Sequence, residues 1–307
     1  MKQTKHWADF QEKSSLLGIR LLFDIYRFFG KRIAGLILYP VVFYYWLTNK
    51  PARLASYNYL RRLSLYAPQS KIDDSIGFSL KHFFSFADSI VDKLAGWCGL
   101  LPETHFEYQG RDLLVAELNA GRGVLLLGSH FGNLELCRVI ANHQEDIKIN
   151  VLVHTKHAQK FNHLLKQYNA KSSLNLFQVT DIDMSTVMML ADKIDNGELV
   201  IIAADRVPVN NNRRTTQVSF LGGLAAFPQG PYILGSLLAC PIYTVFCVKD
   251  KNNYKINFEL FSQKLMWSKS DREYEIAQYV QLYAKRLEAQ VLKAPLQWFN
   301  FYEFWIG

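Results

Sequence analysis

Gly123-Val-Leu-Leu-Leu-Gly-Ser-His-Phe-Gly-Asn-Leu-Glu135 is the stretch on which the fold turns. From Gly123 to Gly128 no side chain is polar, the mark of a short strand covered on both faces. Gly128 and Gly132 then permit a sharp turn, and a helix is expected from Leu134 to Asn142. His130 thereby stands at the carboxyl end of a buried strand, where α/β domains line their ligand crevices.

The same alternation extends outward. Beyond Leu101-Pro102, short apolar runs at 106–108, 149–153, 174–179, 199–203, 217–220 and 242–248 read as strands. Longer periodic stretches at 111–119, 157–169, 184–195, 230–238 and 274–292 read as helices. That pattern predicts an α/β domain over residues 103–307, preceded by a helical lead-in over 54–102.

Residues 1–53 read differently. Ile33 to Leu47 (IAGLILYPVVFYYWL) carries no charge, and Lys31, Arg32, Lys50 and Arg53 flank it. The run is shorter than the roughly 20 apolar residues of a spanning helix. Its Tyr39, Tyr44, Tyr45 and Trp46 are side chains that favour headgroup depth. A second apolar stripe precedes it, and no small-residue cleavage site follows in the usual place. Membrane attachment by a short span or an interfacial hairpin is expected, the alternative being a buried pair of core helices.

Composition narrows the partners. The 307 residues are 50% hydrophobic and 14% aromatic with a formal charge of +8, which suits an ordered chain with anionic partners. The basic residues are dispersed and no zinc or RNP-like pattern occurs, which argues against nucleic acid. Cys98, Cys137, Cys240 and Cys247 are scattered without CxxC pairs, so ordinary core cysteines in a reduced compartment are expected, with no metal site.

His130 and Glu135 are the candidate catalytic pair. On one helix, five residues at 100° per residue would set them about 140° apart. They meet only if His130 lies in the turn and Glu135 in the first turns of the helix. A neutral imidazole can take a proton from an alcohol near pH 7, and a carboxylate on its other nitrogen fixes the tautomer. A turn histidine followed by a glutamate at a helix N-terminus is the plain structural alternative. Ser129 is a poor candidate nucleophile, since successive residues at a strand end point apart.

GSHFGNLE resembles the His-x-x-x-x-Asp/Glu signature of glycerolipid acyltransferases. More closely, it resembles that of the lipid A biosynthesis (late, secondary) acyltransferases and the related mycobacterial mannoside acyltransferases. Ala203-Ala-Asp-Arg206, followed by Val218-Ser-Phe-Leu-Gly-Gly-Leu-Ala-Ala-Phe-Pro-Gln-Gly-Pro231, is similar to a second block of that family. Pro295-Leu-Gln-Trp-Phe299 is similar to a third. The likeness covers essentially the whole chain.

The resemblance implies an α/β fold with a mixed central sheet flanked by helices and an N-terminal membrane-associated segment. It implies transfer of a fatty-acyl chain from acyl-carrier protein, or acyl-CoA, to a hydroxyl of a lipid A precursor or related envelope glycolipid. His130 would be the base and Glu135 its partner, with no acyl-enzyme and no cofactor, on the cytoplasmic side of the inner membrane. Asp205, Arg206, Arg213, Arg214 and Lys156 would bind substrate. Lys156 (or Lys160) would replace an arginine, because Val153-His-Thr-Lys156 stands where relatives carry Tyr-Arg, and Gly222-Gly223 also departs from the pattern. Acylation of another envelope lipid, or lipid binding without catalysis, are the alternatives.

Overall fold

The computed structural model describes residues 16–97, 99–137, 147–153, 175–178, 183–207 and 214–305. Its centre is a sheet of seven described strands: β1 (Phe106–Gln109), β2 (Val124–Gly128), β3 (Ile149–Val153), β4 (Asn175–Gln178), β5 (Leu199–Ala203), β8 (Ile242–Asp250) and β9 (Asn253–Ser262). They lie in the order β1-β9-β8-β2-β5-β3-β4, parallel throughout except for the β8–β9 hairpin. The sheet is therefore mixed, as expected.

The GVLLLG run forms β2 near the sheet's middle, and each of its five residues is buried. Leu125 and Leu127 pack into one core with Val200 and Ile202, while Val124 and Leu126 pack into the other with Leu199 and Ile201. Residues with no polar side chain are what such a doubly covered strand demands. Five of the described helices belong with this sheet or lead into it: α3 (Ile76–Trp97), α4 (Arg111–Asn119), α5 (Met184–Asp195), α6 (Gly230–Leu238) and α7 (Arg272–Lys293). The α7 residues Tyr283, Ala284 and Leu287 pack on the Leu125–Leu127 side, and Leu114 of α4 on the other. The chain leaves β2 toward β3 and β4 on one side, then returns from β5 to β8 and β9 on the other. That reversal beside β2 is the usual location of a ligand crevice in an open α/β sheet.

Two strands, β7 (Gly223–Pro228) and β9, go beyond those expected from the sequence. β6 (Thr215–Phe220) pairs with β7 in a separate hairpin. Leu221 and Gly222 both have positive φ, 48° and 71°, so the Leu-Gly-Gly run is a tight hairpin turn. β9 was hidden because its Lys255, Asn257 and Glu259 alternate with buried Tyr254, Ile256 and Phe258. The expected helix from Leu134 starts instead as a 3-10 turn, Leu134–Cys137, and its remainder lies outside the described residues, as does the helix expected at 157–169.

The N-terminal portion is helical. α1 (Leu16–Thr48) breaks at Gly30, where φ is 75°, and α2 (Lys50–Tyr66) follows after Asn49, whose side chain caps Ala52 N. Ala34, Leu38, Val42 and Trp46 recur every fourth residue and pack with Phe83, Ala87 and Val91 of α3. The opposite side of α1 leaves Phe28, Phe29, Leu36 and Tyr44 between 66% and 75% exposed. No described helix is long and apolar enough to cross a membrane.

Candidate active site

The register of β2 against β5 builds the site. Gly128 lies opposite Ala203, and Ala204 N–H donates to Gly128 O at 2.9 Å. Two residues past each strand end stand His130 and Asp205, so equal overhangs bring their side chains together. His130 Nδ1 lies 2.8 Å from Asp205 Oδ1, and the His130 backbone N–H donates to Asp205 Oδ2 at 2.9 Å. Asp205 is 1% exposed at its side chain, whereas the imidazole is 38% exposed and opens toward solvent.

A carboxylate only accepts, so Nδ1 carries the ring proton and Nε2 keeps its lone pair. Desolvation and then the Arg206 charge lower the His130 pKa against the pull of Asp205, so the ring is neutral at pH 7. Burial works against ionisation of Asp205, but the His130 contacts and the Arg206 charge hold its pKa below the ordinary carboxylate range. The result is a neutral imidazole backed by an anion, with its lone pair on the ring nitrogen that Asp205 does not hold.

The two acidic residues singled out from the sequence stand differently toward the ring. Asp205, expected among substrate ligands, holds the imidazole. Glu135, expected as the partner of His130, sits half-buried on the 3-10 turn Leu134–Cys137, while Nδ1 bonds Asp205. Separation of 75 residues along the chain put Asp205 beyond any local spacing rule. Arg206 donates from one terminal nitrogen to Phe299 O at 2.9 Å, and its guanidinium carbon lies 5.6 Å from the centre of the Tyr302 ring. Lys93 of α3 adds a weaker positive influence on His130. Arg214 is exposed just before β6, while Lys156, Lys160 and Arg213 lie outside the described residues. Ser129 is buried, and its Oγ accepts the Phe131 N–H at 3.2 Å.

A segment that the sequence marked only by likeness supports the His130 turn. Gly132 N–H donates to Gln297 O at 2.7 Å and Phe299 N–H to His130 O at 3.2 Å, with Phe131 opposite Trp298. Gln297 also bonds both backbone groups of Lys249, its Oε1 accepting at 2.9 Å and its Nε2 donating at 2.8 Å. On the other side, Asn133 N–H reaches Cys247 O at 2.8 Å. Gly132 has φ 66°, and a Cβ there would fall 1.9 Å from Cys247 O, so only glycine fits.

Beside this turn lies a polar cavity of about 270 Å³ whose lining includes Ser89, Asp92, Asn133, Lys249 and Phe299. Asp92 is clasped by Lys249 of β8 at 2.6 Å and Lys31 of α1 at 3.0 Å. Among the described residues no group of three or more His, Cys, Asp or Glu side chains is placed to hold a metal ion.

A family profile described as bacterial lipid A biosynthesis acyltransferase matches residues 100–306, well over half the chain. None of the curated proteins matches. The matched span runs from before β1 through the 297–299 segment and contains His130, Asp205 and Arg206. The chain therefore belongs to the bacterial lipid A biosynthesis acyltransferase family and is an acyltransferase.

Proposed function

We propose that this acyltransferase moves a fatty-acyl chain from an acyl-carrier-protein or CoA thioester to a hydroxyl of a lipid A precursor or related envelope glycolipid, with His130 as general base. The observation that carries the reading is the His130–Asp205 pair, which leaves Nε2 as a lone pair on a neutral ring at a sheet's carboxyl edge. The acceptor hydroxyl gives its proton to Nε2 as its oxygen attacks the thioester carbonyl. The C–S bond then breaks, the thiolate takes that proton from the imidazolium, and the ester leaves. Asp205 stabilises the imidazolium in between. No acyl-enzyme is needed, and the inward-facing Ser129 supports that.

Arg206 is the proposed cation for a phosphate or for the developing oxyanion, since its planar fork holds such oxygens in pairs. Lys156, Arg213 and Arg214 are proposed as further cations for substrate or carrier. Glu135 is proposed as a second carboxylate acting beside the turn rather than through Nδ1. The exposed apolar and aromatic side of α1, with Arg20, Arg27, Lys31 and Arg32 near it, supports an interfacial seat on the cytoplasmic face of the inner membrane.

The test is transfer by purified enzyme from acyl-carrier protein or acyl-CoA to candidate acceptors. His130→Ala should lose about 10²–10⁴-fold in turnover. Near-normal turnover by that variant overturns the mechanism.

A further inference from the structure

A buried chain of hydrogen bonds runs from α1 to the catalytic turn. Trp46 Nε1 donates to Ser79 Oγ at 3.1 Å, and Ser79 Oγ donates to Ser56 Oγ at 3.2 Å. Ser56 Oγ lies 3.1 Å from His82 Nδ1, and His82 Nε2 lies 2.9 Å from Trp298 O. Ser56, Ser79 and His82 are each 0% exposed.

The chain has one direction. An indole N–H only donates and a carbonyl only accepts. Nε2 of His82 must therefore carry the ring proton, which leaves Nδ1 to accept from Ser56. Ser56 in turn accepts from Ser79, and Ser79 from Trp46. Desolvation lowers the His82 pKa to about 4, in keeping with a neutral ring.

The far end of the chain meets the site. Trp298 and Phe131 face each other between the bonds Gly132 N–H to Gln297 O and Phe299 N–H to His130 O. In such a pair the backbone groups of the facing residues point outward, so Trp298 O is turned away from the turn and toward α3. One edge of the 297–299 segment thus holds the His130 turn, and the other edge is held by His82. Phe299 O, at the segment's end, takes the Arg206 bond.

We propose that His82 is a positioning residue for acyl transfer, acting through the Trp298 carbonyl to fix the segment against which the His130 turn is built. The Trp46–Ser79–Ser56 hydroxyl chain sets the tautomer that this requires. The inference rests on His130 being the base. Displacement of a catalytic group by as little as 1 Å costs on the order of 10²-fold, so a loss in kcat is expected without loss of substrate affinity.

The experiment compares His82→Leu, His82→Gln and His130→Ala in the purified enzyme, below the melting temperature of each. Leucine has neither donor nor acceptor, whereas glutamine offers an N–H to Trp298 O and an oxygen to Ser56. His82→Leu should lower kcat on the order of 10²-fold with both KM values within about twofold of wild type, and His82→Gln should recover most of that loss. Wild-type kcat in folded His82→Leu, or equal loss with glutamine, overturns the proposal. If His82→Leu does not fold, Ser56→Ala takes its place, since it frees the ring to adopt the other tautomer with little change in volume. A fall in kcat alone supports the proposal and wild-type kcat overturns it. An inactive His130→Ala beside a normal His82→Leu defeats this inference only, whereas an active His130→Ala defeats the base assignment beneath it.

Discussion

Asp205 grips His130 at two points, the ring Nδ1 at 2.8 Å and the backbone N–H at 2.9 Å. One buried carboxylate therefore fixes both the tautomer of the imidazole and the path of the turn that carries it. Asp205→Asn turns an obligate acceptor into a group that can donate. The proton on Nδ1 is no longer enforced and Nε2 loses its role as base. Turnover should fall by about 10²–10⁴-fold with the protein still folded. Glu135→Gln, assayed in parallel, should cost less. An Asp205→Asn enzyme faster than Glu135→Gln would return the partner role to Glu135.

The pH dependence follows from the His130 environment. Desolvation and the Arg206 charge both lower its pKa, so the basic form persists below the ordinary histidine value of about 6.5. The acid limb of kcat/KM should accordingly lie below that value. Arg206→Gln removes the nearby charge and should move the limb upward in pH, with weaker substrate binding if the guanidinium also holds an anion. An unmoved limb in that variant would show that Arg206 has no electrostatic hold on the base.

Acid stability has a separate reporter in His82. Burial pushes its pKa down to about 4 in the folded protein, against the ordinary 6.5 of an exposed histidine, so the unfolded chain binds the proton more tightly. The neutral ring's contribution is fully present above pH 6.5 and is lost as pH falls from there through 4. Each pH unit inside that window changes stability by at most about 1.4 kcal/mol for one proton. His82→Gln should flatten this part of the curve in urea titrations, leaving the component from His130. An unchanged slope between the two proteins would count against a neutral buried His82.

The α1 surface predicts membrane affinity. Phe28 and Phe29 are 75% and 66% exposed, so replacing both with Glu leaves the α1–α3 core alone. Each phenylalanine buried in lipid contributes roughly 1.5–3 kcal/mol, so the double variant should bind anionic vesicles at least about tenfold more weakly. Equal co-sedimentation of variant and wild type would remove α1 from the list of lipid contacts.

Local sequence determined much of this protein because some structural demands are local. A five-residue strand buried on both faces admits no polar side chain, which is why GVLLLG was legible and His130 could be set at a strand end. Helices such as Met184–Asp195 follow from periodicity and from the Asp183 cap. β9 offers no unbroken apolar run, since exposed Lys255 and Glu259 interrupt buried Tyr254, Ile256 and Phe258, and β7 follows β6 through a two-residue turn that looks like a glycine loop.

The carboxylate on His130 was decided only by tertiary structure. Glu135 was the natural choice from five residues away, but the bond goes to Asp205, 75 residues on. That choice depends on β5 lying parallel to β2 with Gly128 opposite Ala203. Periodicity determines which residues a strand buries but says nothing about which strand lies beside it or in what register. A slip of one residue would turn Asp205 to the other face of the sheet and leave the imidazole without its anion.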